Sequence, residues 1–295
     1  MRFQKVYLEI TDLCNRNCSF CPGTRREKGM MDEQSFRLFA EKLCGWTEYL
    51  YFHLMGEPLL HPKLPVFFRI AHELGFRVIL TTNGTLLPQV QDTLLSAPAL
   101  HKVNISLHSF EGNAGGDPER YLSGCTDFAR RAAARGIVVS FRLWNADGAH
   151  TKGQHARDPE LLSHLRRAFP EPWKENPRGS CLTERVYLNR AEVFDWPSYD
   201  APDYGDSVFC YGLKDHIGVL WDGTVVPCCL DGDGCLPLGD LKTQTVEEIL
   251  NGPRALSMAE GFRQRKAAEE LCRRCGYAQR FDKGTPKIDI SFPRL

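Results

Sequence analysis

The chain carries no excess of either charge, since 37 Lys and Arg residues are matched by 37 Asp and Glu among 295 residues. It therefore has no overall field to draw it onto a nucleic-acid backbone or an anionic membrane, and bulk nucleic acid is not expected as a partner. Long apolar runs are also missing. Stretches such as Val66-Phe67-Phe68 and Val78-Ile79-Leu80 fall far short of the roughly 20 apolar residues needed to cross a bilayer. Met1-Arg2-Phe3-Gln4-Lys5 leads directly into a strand-like run and lacks the pattern of an export signal. There is no internal repeat and no low-complexity tract. These absences predict a globular protein of the cytoplasm, and 42% apolar side chains are enough to build one large or two modest domains.

Cysteine, by contrast, is abundant. Its twelve copies stand at 14, 18, 21, 44, 125, 181, 210, 228, 229, 235, 272 and 275. An even count would permit disulfides, but without an export signal, and with an apolar core of this size, a stapled secreted scaffold is not expected. Bunched thiols in a reducing compartment bind metal.

The first half alternates between two hydrophobic periods. Strand-like runs at Val6 to Ile10, Tyr49 to Leu54, Phe76 to Thr81, Lys102 to Leu107 and Ile137 to Leu143 are separated by helical spacing over Asp32 to Leu43, Lys63 to Leu74, Val90 to Ala97 and Glu119 to Arg135. Repeated strand-helix units predict a parallel sheet with right-handed crossovers, whose ligands bind at the carboxyl ends of the strands. Prolines then cluster between Trp144 and Ser207, around a helix at Glu160 to Phe169, which reads as barrel completion and a connecting segment. Beyond it, Cys210 to Leu241 is rich in Gly and Cys, Asp222-Gly223 fits a hairpin turn, and Val246 to Glu270 is mostly helical. The expected division is 1–205 as barrel and connector, 206–285 as a small metal-dependent domain, and 286–295 as a tail.

Immediately after the first strand, Cys14, Cys18 and Cys21 form C-x3-C-x2-C. Three thiolates without a nearby fourth ligand do not fill a tetrahedral zinc site, whereas an iron-sulfur cube would keep one iron open for a substrate or cofactor. This spacing, with Phe20 before the last cysteine, resembles the signature of the radical S-adenosylmethionine (radical SAM) superfamily. Three further strand ends carry matching residues: Met55-Gly56-Glu57-Pro58, then Thr81-Thr82-Asn83-Gly84, then Asn104-Ile105-Ser106-Leu107-His108-Ser109. The resemblance implies a partial (β/α)6 barrel holding a 4Fe-4S cluster and S-adenosylmethionine. Gly56 and Glu57 would hold the methionine amino group, with Met55 beside them. Thr82 and Asn83 correspond to the family's run at the third strand end, and Ser106 and His108 take the positions of its polar ribose contacts. Arg142, near the end of the fifth strand, suits the methionine carboxylate, because a guanidinium grips a carboxylate through two parallel hydrogen bonds.

The second group, Cys210, Gly223, Cys228 and the pair Cys272 and Cys275, gives C-x12-G-x4-C followed by a distant C-x2-C. This resembles the twitch and SPASM domains that hold auxiliary 4Fe-4S clusters. The short cysteine train favours the twitch type with one cluster on Cys210, Cys228, Cys272 and Cys275; Cys229 or Cys235 could replace Cys228, and a zinc knuckle is the competing use of the four. Cys44 and Cys125 read as small buried apolar residues, while Cys181, in the connector, is a candidate hydrogen-atom donor or acid/base.

The resemblance implies one-electron cleavage of S-adenosylmethionine, hydrogen abstraction from a small polar metabolite or peptide, and a flavodoxin- or ferredoxin-type electron donor. With an auxiliary cluster accepting the second electron, the outcome is a two-electron oxidation. Redox-neutral lysis of a nucleotide-like substrate, peptide maturation, and a structural metal protein are the alternatives. Arg25, Arg26 and Lys28, together with Arg263, Arg265, Lys266, Arg273 and Arg274, are candidates to receive phosphate.

Overall fold

A computed structural model describes residues 3–110, 117–144, 158–176 and 179–281; the expected tail, 286–295, lies outside them. Its sheet is built from β1 (Lys5–Leu8), β2 (Tyr49–Tyr51), β3 (Arg77–Thr82), β4 (Leu100–Ser106) and β5 (Val138–Leu143), paired in that order and all parallel. The helices between them are α1 (Glu33–Leu43), α2 (Leu64–Glu73), α3 (Leu87–Leu95) and α4 (Pro118–Ala133).

Each helix forms for a local reason. Asp32 caps α1 by accepting from the Ser35 amide, and Phe36, Phe39, Ala40 and Leu43 bury one stripe of it. Asp117 caps α4 in the same way, and α3 begins earlier than the hydrophobic spacing indicates because Pro88 suits its first turn. Phe36 of α1 stacks on Phe67 of α2 at 4.2 Å between centroids, part of one core that runs under the whole sheet.

Two features of the architecture are invisible to periodicity. The proline-rich connector holds α5 (Asp158–Ala168) and an antiparallel edge of β6 (Lys174–Asn176), β7 (Gly179–Thr183) and β8 (Val186–Arg190). Of these, β8 runs parallel to β5 and becomes the sixth strand of the series begun by β1. At the other edge, β9 (His216–Val219) pairs in parallel with β1, then folds back at Gly223 into β10 (Thr224–Val226), which pairs with β11 (Gly239–Asp240). Gly223 has φ +96°, as a hairpin turn there requires. The sheet is thus continuous across the expected 205/206 boundary, in the order β11-β10-β9-β1-β2-β3-β4-β5-β8-β7-β6. The helical tract after it divides at Gly252-Pro253 into α6 (Val246–Leu250) and α7 (Pro253–Arg263), with α8 (Glu270–Arg273) beyond. No helix among the described residues is long and apolar enough to cross a membrane.

Candidate active site and cluster sites

The loop after β1 carries Cys14 and Cys21 exposed and Cys18 half-buried. Hydrogen bonds from the neighbouring strand ends hold it in place. Asn83, just beyond β3, donates from Nδ2 to Asn15 Oδ1 at 2.9 Å, and the same nitrogen is 4.0 Å from Cys14 Sγ. Cys18 Sγ lies 3.8 Å from the Ser109 carbonyl after β4, and Phe20 meets the His108 ring at 4.8 Å. The sequence motifs of β1, β3 and β4 therefore converge on one lip of the barrel.

The β2 motif joins them through close backbone packing. Gly56 has φ +76°, and a Cβ there would sit 2.4 Å from the Thr11 carbonyl, so only glycine lets this turn approach the cysteine loop. Glu57 is buried and accepts from the Asn83 amide at 2.7 Å and the Leu59 amide at 3.1 Å. Burial pushes its carboxyl up to about 7, against the pull of those amides and of the Thr82 hydroxyl. Oε2 thus ties the turn after β2 to the end of β3, while Oε1 caps the turn's own Leu59 amide. Met55 is held from below, its amide donating to Glu9.

The expected phosphate site does not form. The Arg26 side chain is half-buried, with Nη2 donating to both oxygens of Glu9 at 2.7 and 3.0 Å and Nε to the Gly232 carbonyl at 2.7 Å. The Arg25 amide donates to Asp233 and its guanidinium pairs with the same carboxylate, while Lys28 Nζ donates to Thr24. Arg273 is paired with Asp203, Arg274 with Glu270, and Arg263 with Glu260. Lys28 also pairs with Asp12, so these six cations each meet a carboxylate of the chain itself, while Arg265 lies over the Phe209 ring, and Arg26 works as a clasp between the first cysteine loop and the segment around Gly232.

Cys210, Cys228, Cys272 and Cys275 come together from remote parts of the chain at one side of a cavity of about 520 Å³. Burial pushes the Cys210 thiol up to about 12, and Cys228 is raised by burial and by the nearness of Cys210, Cys229, Cys275 and Cys272. Thiols in this setting become ligands only when a cationic centre offsets the charge. Four thiols lining one cavity are the soft donor set that a multi-iron cluster takes. Cys235 lies beside Asp231, Asp233 and Arg25, whereas Cys229 lines the same cavity beside Tyr7, Lys5 and Arg142 and also bears on Cys210 and Cys275. Cys228 packs next to Cys210: a Cβ on Gly212 would lie 3.3 Å from Cys210 Sγ and 3.6 Å from Cys228 Cβ.

The same cavity is lined by Phe20, Ser106, His108 and Arg142 of the first site, so the two sites share one chamber. His108 Nδ1 lies 3.0 Å from the Arg142 carbonyl, its ring is tilted against Phe20 at 4.8 Å and parallel to Trp144 at 6.4 Å, and burial lowers its pKa to about 4. Neutral imidazole is therefore its resting form. Cys181 is not brought here: it sits on β7 and its thiol donates to the Thr183 carbonyl at 3.2 Å. Residues that the motifs do not announce also line the chamber, among them Lys5, Tyr7, Tyr51, His53 and His216. The signal available for them is polar and phenolic side chains at alternate positions of strands in a sheet whose parallel members should be apolar on both faces.

A parallel barrel with three thiols at its lip and four more across a shared chamber defines an enzyme built to hold two iron-sulfur clusters and a small cofactor. Comparison with known proteins gives the family. Residues 8–142 match the radical SAM superfamily and residues 210–276 the SPASM iron-sulfur cluster-binding domain, and the chain belongs to the radical SAM superfamily with a C-terminal auxiliary-cluster domain. Its cofactors are accordingly a 4Fe-4S cluster, S-adenosylmethionine and an auxiliary 4Fe-4S cluster. It is similar to the S-adenosyl-L-methionine-dependent 2-deoxy-scyllo-inosamine dehydrogenase of Niallia circulans, 28% identical over 41% of this chain and 54% of that protein. An AdoMet-dependent heme synthase of Methanosarcina barkeri is 24% identical over 92% of this chain and 87% of its own length. Among solved structures, BtrN in complex with AdoMet and 2-DOIA superposes with a TM-score of 0.60 at 20% identity, covering 93% of this chain and 94% of BtrN. Streptococcus suis SuiB bound to its precursor peptide SuiA gives 0.60 at 13% identity, over 94% and 70% of the two chains. At these identities the structural likeness establishes the fold.

Proposed function

We propose that this chain is a radical SAM oxidoreductase that removes two electrons from a small molecule held in the shared chamber. The observation that carries the reading is that one cavity is lined both by Phe20, Ser106 and His108 of the first site and by Cys210, Cys228, Cys272 and Cys275 of the second. When bound, the first cluster and S-adenosylmethionine supply a hydrogen-abstracting 5′-deoxyadenosyl radical, and the second cluster an acceptor for the electron left on the substrate. The remaining work belongs to the protein. Cys14, Cys18 and Cys21 would hold the first cluster. The Gly56 turn, Thr82, Asn83, Ser106 and His108 form the lip that orients the cofactor, and the Phe20 and Trp144 rings beside His108 keep water from it. Cys210, Cys228, Cys272 and Cys275 would hold a single second cluster.

The dehydrogenase relative supports the oxidative reading, and the twelve cysteines, none in a disulfide, suit a reducing cytoplasmic setting with a flavodoxin- or ferredoxin-type donor. The test is anaerobic incubation of the reconstituted protein with S-adenosylmethionine and reduced flavodoxin. 5′-Deoxyadenosine is expected, and Cys18→Ala should abolish it. Wild-type protein that contains both clusters yet forms no 5′-deoxyadenosine would refute the assignment.

A further inference from the structure

Two histidines of the chamber stand outside both cluster sites. His53 lies two residues past Tyr51 of β2, and His216 opens β9 opposite Lys5, while Tyr7 of β1, which pairs with Tyr51, comes between them. Each imidazole meets the Tyr7 ring edge-on at 5.5 Å, so the two rings flank it diagonally from the strands on either side. Both side chains are half-buried and line the chamber.

Their hydrogen-bonding capacity is left over by the packing. In each ring Nδ1 is buried without a partner, and neither ring makes a hydrogen bond to any described residue through Nε2, which is the polar edge left to the accessible part of the side chain. Burial lowers both imidazoles to about 3, with Arg142 and Lys5 adding to the effect at His53 and Lys5 at His216, so each ring is neutral and carries one proton. A buried N–H without an acceptor is rarer than an acceptor without a donor, which places that proton on Nε2. Each ring then offers one N–H donor to the chamber. Two donors on opposite sides of Tyr7 call for two acceptor atoms on one molecule. The rest of the lining does not favour a charge of one sign, since Asp215 and Asp231 accompany Lys5 and Arg142. An uncharged oxygen meets such donors without the desolvation cost of an ion.

We propose that His53 and His216 are substrate-binding residues of the chamber, and that the substrate is an uncharged diol or polyol lying across Tyr7 with one oxygen on each Nε2. The inference deepens the functional reading above, since it takes the chamber to be the substrate chamber. It asks for two separated oxygens, so a molecule with one hydroxyl fills only half of the site.

The test is calorimetric titration of the reconstituted holoenzyme, with S-adenosylmethionine present, using linear α,ω-diols of graded length and the 1-alkanols of the same lengths. A diol of matching span should bind about fivefold or more tighter than its alkanol, as one added hydrogen bond gives. His53→Phe and His216→Phe keep a ring against Tyr7 and remove the donor, and each should bring that diol to the affinity of the alkanol. His53→Gln and His216→Gln keep an N–H donor and should hold the diol within about threefold of wild type, a change smaller than one hydrogen bond. S-adenosylmethionine affinity should be unchanged in all four variants. The proposal is overturned if no diol binds, if diol and alkanol bind alike, if the Phe variants keep the preference, or if the Gln variants lose as much as the Phe variants. Measuring 5′-deoxyadenosine in the same samples separates the two claims. Its formation by protein that shows no diol preference removes only the subsite, and its absence with the preference intact removes only the radical assignment.

Discussion

The two cysteine groups of this protein solve different problems. The first lies within eight residues on a loop, with two of its thiols exposed, and its surroundings are strand ends that contribute amides, hydroxyls and one glycine turn. The second draws on positions from 210 to 275, and its thiols are enclosed by apolar and aromatic side chains that push their pKa values up. The contrast teaches that an open site is needed where a cofactor must enter, and a closed one where a cluster need only stay in place and exchange electrons.

Removing ligands from the closed site should give the largest effect that separates the two. Replacing Cys272 and Cys275 by Ala is expected to lower iron from about eight to about four atoms per chain after reconstitution, while 5′-deoxyadenosine formation persists. If both clusters vanish, the sites are not independent. Next in size is the clasp that joins the two regions. Arg26→Ala leaves Glu9 buried without its counter-charge and should destabilise the protein by about 3 kcal/mol in chemical denaturation, whereas Arg25→Ala, at an exposed pair, should change little.

A pH dependence sharpens the comparison from the open side. Glu57 is raised by burial to about 7, so the folded chain retains a proton that the unfolded chain releases near the ordinary carboxylate value. The unfolded state binds fewer protons across this window, and stability should therefore fall as pH rises from about 4.5 to about 7, by on the order of 3 kcal/mol. Glu57→Gln should make that slope shallower, leaving the share of Glu9, which burial also raises to about 7, read from denaturation of the metal-free protein at several pH values. The smallest expected effect is at Cys181. Cys181→Ser should leave 5′-deoxyadenosine formation unchanged and stability within about 0.5 kcal/mol, because its thiol faces the Thr183 carbonyl on the β7 hairpin and not the chamber.

Much of the open site is legible in the order of residues alone, for a physical reason. A parallel βα sheet places its ligands at strand ends, so short motifs that follow predicted strands fall on one lip whatever the details of packing. Cys14, Gly56, Asn83 and His108 illustrate this, each in the segment that follows a strand. The basic runs mislead, because a cation at position 26 looks the same in sequence whether it faces solvent or, as here, a buried Glu9. The connector also hides its strands, since β6, β7 and β8 are short, mixed in polarity and interrupted by turns.

The sequence by itself determined the alternation of strands and helices and the cluster motif on the first loop. Both depend on residues within a few positions of one another. Only the tertiary structure decided that β9 joins β1 and β8 joins β5, that Cys210, Cys228, Cys272 and Cys275 line one cavity, and that Lys5, His53 and Arg142 line it with them. Such pairings are set by which strands become neighbours and which faces the pleat turns inward, and no local stretch of chain carries that information.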